Sequence, residues 1–377
     1  MDFINHLPSP CYLLEEKLLR QNLQEIRSVA DRAGVEIILA LKANAMWSIF
    51  PIIREYFSSA TASSSAEARL IVEKFGSLAH SYAPTYTDRS FEDISDCSSH
   101  ITFNSLGQLE RFGDRALARG ISLGIRVNPE YSTVETDLYN PCSAGSRLGV
   151  KASLLSELPK GVEGLHFHSL CESRPEDLRA TLASFEEKFS HLLPLVKWVN
   201  MGGGHLITHA DYDSDELVDI LLGFRSRHPH LHVILEPGSA FTWQTGYLVS
   251  TVEDIVVNDG QPTAMVDVSF ACHMPDCLEM PYKPAIRGAR DPHKGETGGW
   301  RIGGNSCLAG DFMGDWIFDR LPQVGDRLIF EDMIHYTMVK TTMFNGVAHP
   351  SIAILRASGE VDVVREFDYS DYRDRMS

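Results

Sequence analysis

VEIILALKANAM, residues 35–46, is a short, almost continuously apolar run that ends on a lysine, Lys42, and contains no glycine. Such a run without alternation is the pattern of a strand buried on both faces, as parallel strands covered by helices are. A doubly wound open sheet would place a phosphate-binding, glycine-rich turn directly after its first strand. Here that position reads LKANA, and the strongest glycine cluster is VNMGGGH, residues 199–205. Between and around these two stretches, candidate strands lie near residues 35–41, 60–63, 78–82, 101–104, 122–127, 163–168, 196–200 and 231–235. Amphipathic patterns such as LLRQNLQEIRSVADRAG, SAEARLIVEKF, LGQLERFGDRALA and LRATLASFEEKFSHLLPLV precede or separate them. Alternation of this kind predicts βα units on a parallel sheet, and eight strands close best as a (β/α)8 barrel. Glycines after the seventh strand fit that choice, because barrels often hold phosphate on the loops after strands seven and eight.

Near residue 240 the rhythm changes. TGYLVSTVEDIVVND, PTAMVDVSF, DRLIFED and SIAILRASGEVDVVREF are β-rich segments joined by Gly, Pro and Asp turns. The expected organisation is a TIM-like barrel over 30–240 and a second, mainly antiparallel β domain over 241–377. The early PSPCYLLEEK, within 1–29, can lend that domain a strand.

The 377 residues carry 34 basic and 51 acidic side chains, a formal net charge of −17. That field repels nucleic-acid phosphates and acidic membranes and favours a cationic small molecule. Neither a basic, aromatic-interleaved patch nor an apolar run of membrane-spanning length is present. The seven cysteines are widely spaced and odd in number, which suits a reducing compartment. The opening MDFINHLPSPCYLLEEK lacks the basic region and apolar run of a secretory signal. A cytoplasmic enzyme is the expectation.

Lys42 sits at the C-terminal end of a predicted central strand, the end at which barrels carry their active sites. A lysine there forms an imine once its amine is neutral, and apolar surroundings promote that loss of charge; the alternative is a lysine snorkelling from the strand end. Gly202, Gly203 and Gly204 can converge their amides on an anion, or simply form a tight turn. Glu236 and Gly238, in LEPGSA, stand at the next strand end. His166 and His168 in GLHFHSLCES share a face opposite Phe167, without the carboxylate companion of a metal site. Cys272, His273 and Cys277 form one loose cluster rather than the paired clusters of structural zinc. No metal is expected.

In their order along the chain, these motifs resemble the alanine-racemase-type (fold type III) pyridoxal-phosphate decarboxylases. The resemblance covers nearly the whole chain: ALKAN at Lys42, IRVNP at Arg126, SRLGV at Arg147, GLHFH, MGGGH, EPGSA, GGNSCLAGD and HYTMVKTTMFNG. It implies a homodimer with shared active sites and pyridoxal 5′-phosphate bound covalently through Lys42. His168 would stack on the cofactor ring and Glu236 contact its nitrogen. Gly202–Gly204 would bind the phosphate with help from Tyr336, and Arg126 would approach the phenolic side. Cys307 would enter from the neighbouring subunit near the reacting carbon, and Arg147 and Asp311 match a basic–acidic pair spanning subunits. An amino-acid racemase of the same fold would normally carry a tyrosine base where NSCLAGD stands. Leu308 follows Cys307 where amino-acid decarboxylases of the group usually carry an acid, and Ser169 and Leu170 replace a Val/Ile-Gly pair. The sequence is most similar to the branch acting on carboxynorspermidine and carboxyspermidine, with Asp276 and Glu279 as candidate contacts for the remote amines. Decarboxylation of ornithine, arginine or diaminopimelate is the alternative.

Overall fold

A computed structural model describes residues 2–134, 139–279 and 282–377. Its contacts divide the chain into two compact units: Gln21–Phe241, and the residues up to Arg20 together with Thr242–Ser377.

The first unit is a closed barrel of parallel strands. In order these are Glu36–Ile37 continued by Leu39–Ala40, then Ala60–Ala62, Ala79–Tyr82, Ser98–Phe103, Ser122–Asn128, Val162–His166, Trp198–Asn200 and His232–Leu235. Each pairs with its neighbours in chain order. The ring closes where Ile234 and Leu235 pair with Glu36 and Ile37, while Leu39 and Ala40 turn to pair with Ala60 and Thr61 on the other side. Ile38 bridges the change of partner, its N–H donating to Leu235 O at 2.9 Å. Each strand overlaps the segment expected for it.

Helices Glu16–Ala33, Ser65–Leu70, Asp88–Ser95, Leu106–Leu117, Pro175–Phe189 and Ser214–Arg227 alternate with the strands. Several start on a side-chain cap: the Ser64 and Ser105 hydroxyls and the Asp213 carboxylate accept the N–H groups of Glu67, Gln108 and Glu216. Such caps satisfy otherwise orphaned amides and fix where the chain leaves a strand for a helix. Inside the barrel, Trp198 fills space that only glycine leaves open. A Cβ on Gly124 or Gly164 would lie 2.3 or 2.0 Å from its indole. Its Nε1–H donates to Ser122 Oγ at 3.0 Å.

The second unit is a sheet ordered Ala289–Arg290, Phe312–Phe318, Trp300–Gly303, Gln261–Val266, Gly246–Asn258, Cys11–Glu15, Ser351–Leu355 and Val361–Arg365. Arg327–Glu331 also pairs with Gly246–Asn258. Among the described residues six of the eight strand pairings are antiparallel; the parallel ones join Cys11–Glu15 to Ser351–Leu355 and Gln261–Val266 to Trp300–Gly303. Leu13, Tyr247, Val249, Ile329 and Ala353 form one of its cores. Among the described residues no helix is long and apolar enough to cross a membrane.

Candidate active site

Lys42 follows the first barrel strand, and its side chain is largely enclosed. Nζ lies 3.1 Å from His168 Nε2. Burial pulls the Lys42 ammonium below its usual range; the Glu236 carboxylate opposes that shift and the Arg126 charge adds to it. His168 follows the sixth strand, and its other ring nitrogen, Nδ1, accepts the Gly203 N–H at 3.0 Å. Burial, then Lys42 and Arg126, hold this imidazole well below its ordinary pKa, so it is neutral.

Glu236 follows the eighth strand and is buried. Asn200 Nδ2 donates to its Oε1 at 2.6 Å, and the Thr61 hydroxyl gives it a second hydrogen bond. Burial raises this carboxyl, against the Lys42 charge and these two donors. The glycines of the seventh strand end permit this closeness. A Cβ on Gly203 would meet Glu236 O at 2.3 Å, and one on Gly202 would meet Phe167 O at 2.6 Å and His168 Nδ1 at 2.7 Å. Gly202 and Gly204 also adopt φ of +70° and +95°, the left-handed region that favours glycine. The Gly202 N–H donates to Asn200 Oδ1 at 2.9 Å. Two of the three expected anion-binding amides thus hold Asn200 and His168 in place. Gly238 packs on the residue beside Lys42: its Cβ would stand 2.5 Å from that of Ala43.

Arg126, on the fifth strand, is buried and donates through one terminal nitrogen to His168 O at 2.9 Å and through the other to Tyr82 Oη at 2.7 Å. Its guanidinium also lies 4.8 Å from the Tyr82 ring centre. Lys42, Arg126, His168, Glu236 and the glycines therefore meet at one end of the barrel. Thr61, Glu67, Tyr82, Asn104 and Asn200 join them without having been singled out in the sequence. Glu67 is a half-enclosed carboxyl raised by burial, held by the Ser63 N–H at 2.6 Å and within electrostatic reach of Lys42. Strand or strand-end position is the only signal for Thr61, Tyr82, Asn104 and Asn200, since isolated Thr, Tyr and Asn carry no motif. His166 lies on the inward face as alternation requires, its ring 5.4 Å from that of Tyr82, while Phe167 packs outward on Phe185.

Cys307, Tyr336, Asp276 and Glu279 belong to the second unit. Cys307 is exposed on a loop, and its N–H donates to Asn345 Oδ1 at 2.9 Å. Asp311 braces the same loop: Oδ2 accepts Ser306 N–H at 3.1 Å and Ser306 Oγ–H at 2.6 Å, and Oδ1 accepts Ala271 N–H at 3.1 Å. Tyr336 opens the short helix Tyr336–Val339. Asp276 and Glu279 both bind the Lys340 ammonium, so each carboxylate already has a cation within the chain. Cys272, His273 and Cys277 are buried, and burial pushes the Cys277 thiol up to about 12. Among the described residues no three metal-ligating side chains come together.

The barrel site fits a pyridoxal phosphate. An enclosed amine whose charge burial disfavours stands ready for a carbonyl, a buried carboxyl for a ring nitrogen, and an imidazole beside the amine for an aromatic face. His205, next to the glycines, has both ring nitrogens buried without a hydrogen-bond partner. A profile of the pyridoxal-dependent decarboxylase, C-terminal sheet domain, family matches residues 17–334. The chain is 54% identical to a carboxyaminopropylagmatine decarboxylase of Synechocystis, over 99% of this chain and 96% of that one. It is 39% identical to a carboxynorspermidine/carboxyspermidine decarboxylase of Campylobacter jejuni, over 98% and 99%. The crystal structure of carboxynorspermidine decarboxylase complexed with norspermidine, also from Campylobacter jejuni, superposes with a TM-score of 0.90 at 38% identity, covering 98% of this chain and 100% of that one. The chain belongs to the pyridoxal-dependent decarboxylase family and is a pyridoxal-phosphate-dependent carboxy-lyase.

Proposed function

We propose that this enzyme removes the carboxylate from an amine bearing a carboxylated aminopropyl arm, converting carboxynorspermidine and carboxyspermidine to norspermidine and spermidine. The observation that carries the chemistry is the buried constellation of Lys42, His168 and Glu236 at one end of the barrel. The full-length similarity to decarboxylases of these substrates, and the net charge of −17, support a polycationic substrate. When bound, pyridoxal phosphate supplies a carbonyl that takes an amine and a ring that accepts the electron pair left by departing carbon dioxide.

The chain's own residues set the stage for that chemistry. Lys42 would hold the cofactor through its side-chain amine. Glu236 would face the cofactor's ring nitrogen and favour a proton there, His168 would pack against its ring, and Arg126 and Tyr336 would hold its oxygens. Cys307 of a second subunit delivers the proton that replaces the carboxylate at Cα. One carbon–carbon bond breaks, one carbon–hydrogen bond forms, and one proton is consumed. The working unit in this reading is a homodimer with shared sites, further joined by Arg147 of one subunit and Asp311 of the other. All seven cysteines are free, which supports a reducing compartment, the cytoplasm.

A second substrate, carboxyaminopropylagmatine, is favoured by the relative at 54% identity. It differs at the far end, where a planar guanidinium replaces an ammonium and calls for bidentate rather than point-charge recognition. One preparation assayed for carbon dioxide release from all three carboxylated amines, and from ornithine, arginine, lysine and diaminopimelate, ranks them by kcat/KM. A carboxylated polyamine should lead; a short amino acid in first place would overturn the substrate assignment.

A further inference from the structure

Arg126 is held from a side unconnected with the catalytic lysine. Its guanidinium donates to Tyr82 Oη at 2.7 Å, and Tyr82 Oη in turn donates to Asn104 Oδ1 at 2.9 Å. The same Asn104 oxygen accepts the Gly149 N–H at 2.9 Å, while Asn104 Nδ2 donates to Arg147 O at 2.8 Å. Asn104 is buried, and its own N–H is fixed by Gln108 Oε1 at 2.8 Å. One side-chain amide therefore grips the backbone on both sides of Leu148 and, through a single phenol, a buried guanidinium.

The loop is tied to the strand of Arg126 in a second way. Val150 pairs with Val127, the residue after Arg126, and Gly149 reaches it at φ +81°, where a Cβ would stand 3.0 Å from Val127 C. Arg147 is exposed, yet its charge and that of Arg126 both act on the Tyr82 hydroxyl. Asn104 and Tyr82 are each held by partners on two sides, and a buried polar network paired in this way favours one geometry.

We infer that Tyr82 and Asn104 are positioning residues, a relay that makes the orientation of Arg126 toward the cofactor depend on the ordering of loop 146–149. The inference rests on the cofactor reading for its consequence, not for its geometry. A loop that settles against a second subunit would then tighten the cofactor pocket through Asn104, without either residue touching the reacting atoms.

The test uses full-length protein with Tyr82→Phe, Asn104→Ala and both changes, and Tyr82→Phe alone carries it if Asn104→Ala does not fold. Hydrogen exchange of the segment 146–150 is measured before cofactor is added, and pyridoxal phosphate affinity is then measured by titration. Tyr82→Phe keeps the ring beneath Arg126 and removes only the hydroxyl. Loss of one such bond should speed exchange at Gly149 about tenfold and weaken cofactor binding about tenfold. The double variant should lose no more than the worse single one, because both cut the same chain of contacts. Weaker binding with unchanged exchange would confine Tyr82 to Arg126 and overturn the relay, as would unchanged binding or additive losses. Failure of the unaltered protein to bind cofactor would strike the cofactor reading instead, and leave the exchange result standing.

Discussion

His168 Nε2 lies 3.1 Å from Lys42 Nζ, and the direction of that hydrogen bond is set from the far side of the ring. Nδ1 accepts the Gly203 N–H, so a neutral imidazole carries its own hydrogen on Nε2. That hydrogen needs a lone pair on Lys42, which only the neutral amine has. Burial of Lys42 lowers its pKa in the direction that this hydrogen bond requires.

The first prediction concerns that amine. Reductive methylation of Lys42, followed by peptide mass against pH, should show a midpoint below the ordinary lysine value of about 10.4. Desolvation is the cause, and the nearby Glu236 carboxylate only moderates it. A midpoint at or above the ordinary value would contradict the pairing of Lys42 with a donating His168.

Glu236→Gln should lower kcat about a hundredfold at saturating cofactor and leave the melting temperature unchanged or higher. The amide keeps an acceptor for Asn200, yet it cannot balance a protonated ring nitrogen. It also removes a buried group that is costly to ionise. A variant with undiminished kcat would separate Glu236 from the chemistry.

Part of the acid sensitivity should arise at the opposite end of the barrel. His80 and His100 stack with ring centres 3.9 Å apart, and His80 is brought from 6.5 down to about 3 by burial and then by the His100 charge. A depressed histidine is neutral in the fold and protonated in the unfolded chain, so stability falls as pH drops from about 6.5 toward 3. Glu36, lowered to about 2 chiefly by its hydrogen bond to His232, acts in the same direction but only below about 4.5. Between pH 7 and 5 the histidines dominate. His80→Phe should therefore flatten the fall in melting temperature over that interval, and an unchanged slope would locate the sensitivity elsewhere.

The barrel was legible because two-sided burial writes itself into the sequence as apolar runs, and because LKANA and MGGGH occupy ends of such runs. Glu236 and His168 followed from strand-end position and alternation. Asn200, Thr61 and Tyr82 were not legible: each acts through a contact made only when distant strands become neighbours. The use of the Gly202 and Gly203 amides for Asn200 and His168 was equally hidden, since glycine marks a close approach without naming what approaches. Lys340, which pairs with Asp276 and Glu279, could not be foreseen from a segment more than sixty residues away in the chain.

Mixing inactive Lys42→Ala and Cys307→Ala homodimers tests the shared site. With random subunit exchange, about a quarter of normal activity should return, because half the dimers are mixed and each holds one intact site. No recovery despite demonstrated exchange would place both residues in the site of a single chain.

The most direct measurement is borohydride reduction of the protein loaded with pyridoxal phosphate, followed by peptide mapping. The pyridoxyl mass should fall on Lys42, in the peptide containing LALKANAM, and turnover should cease. A label on another lysine, or full turnover by Lys42→Ala without added amine, would contradict the account.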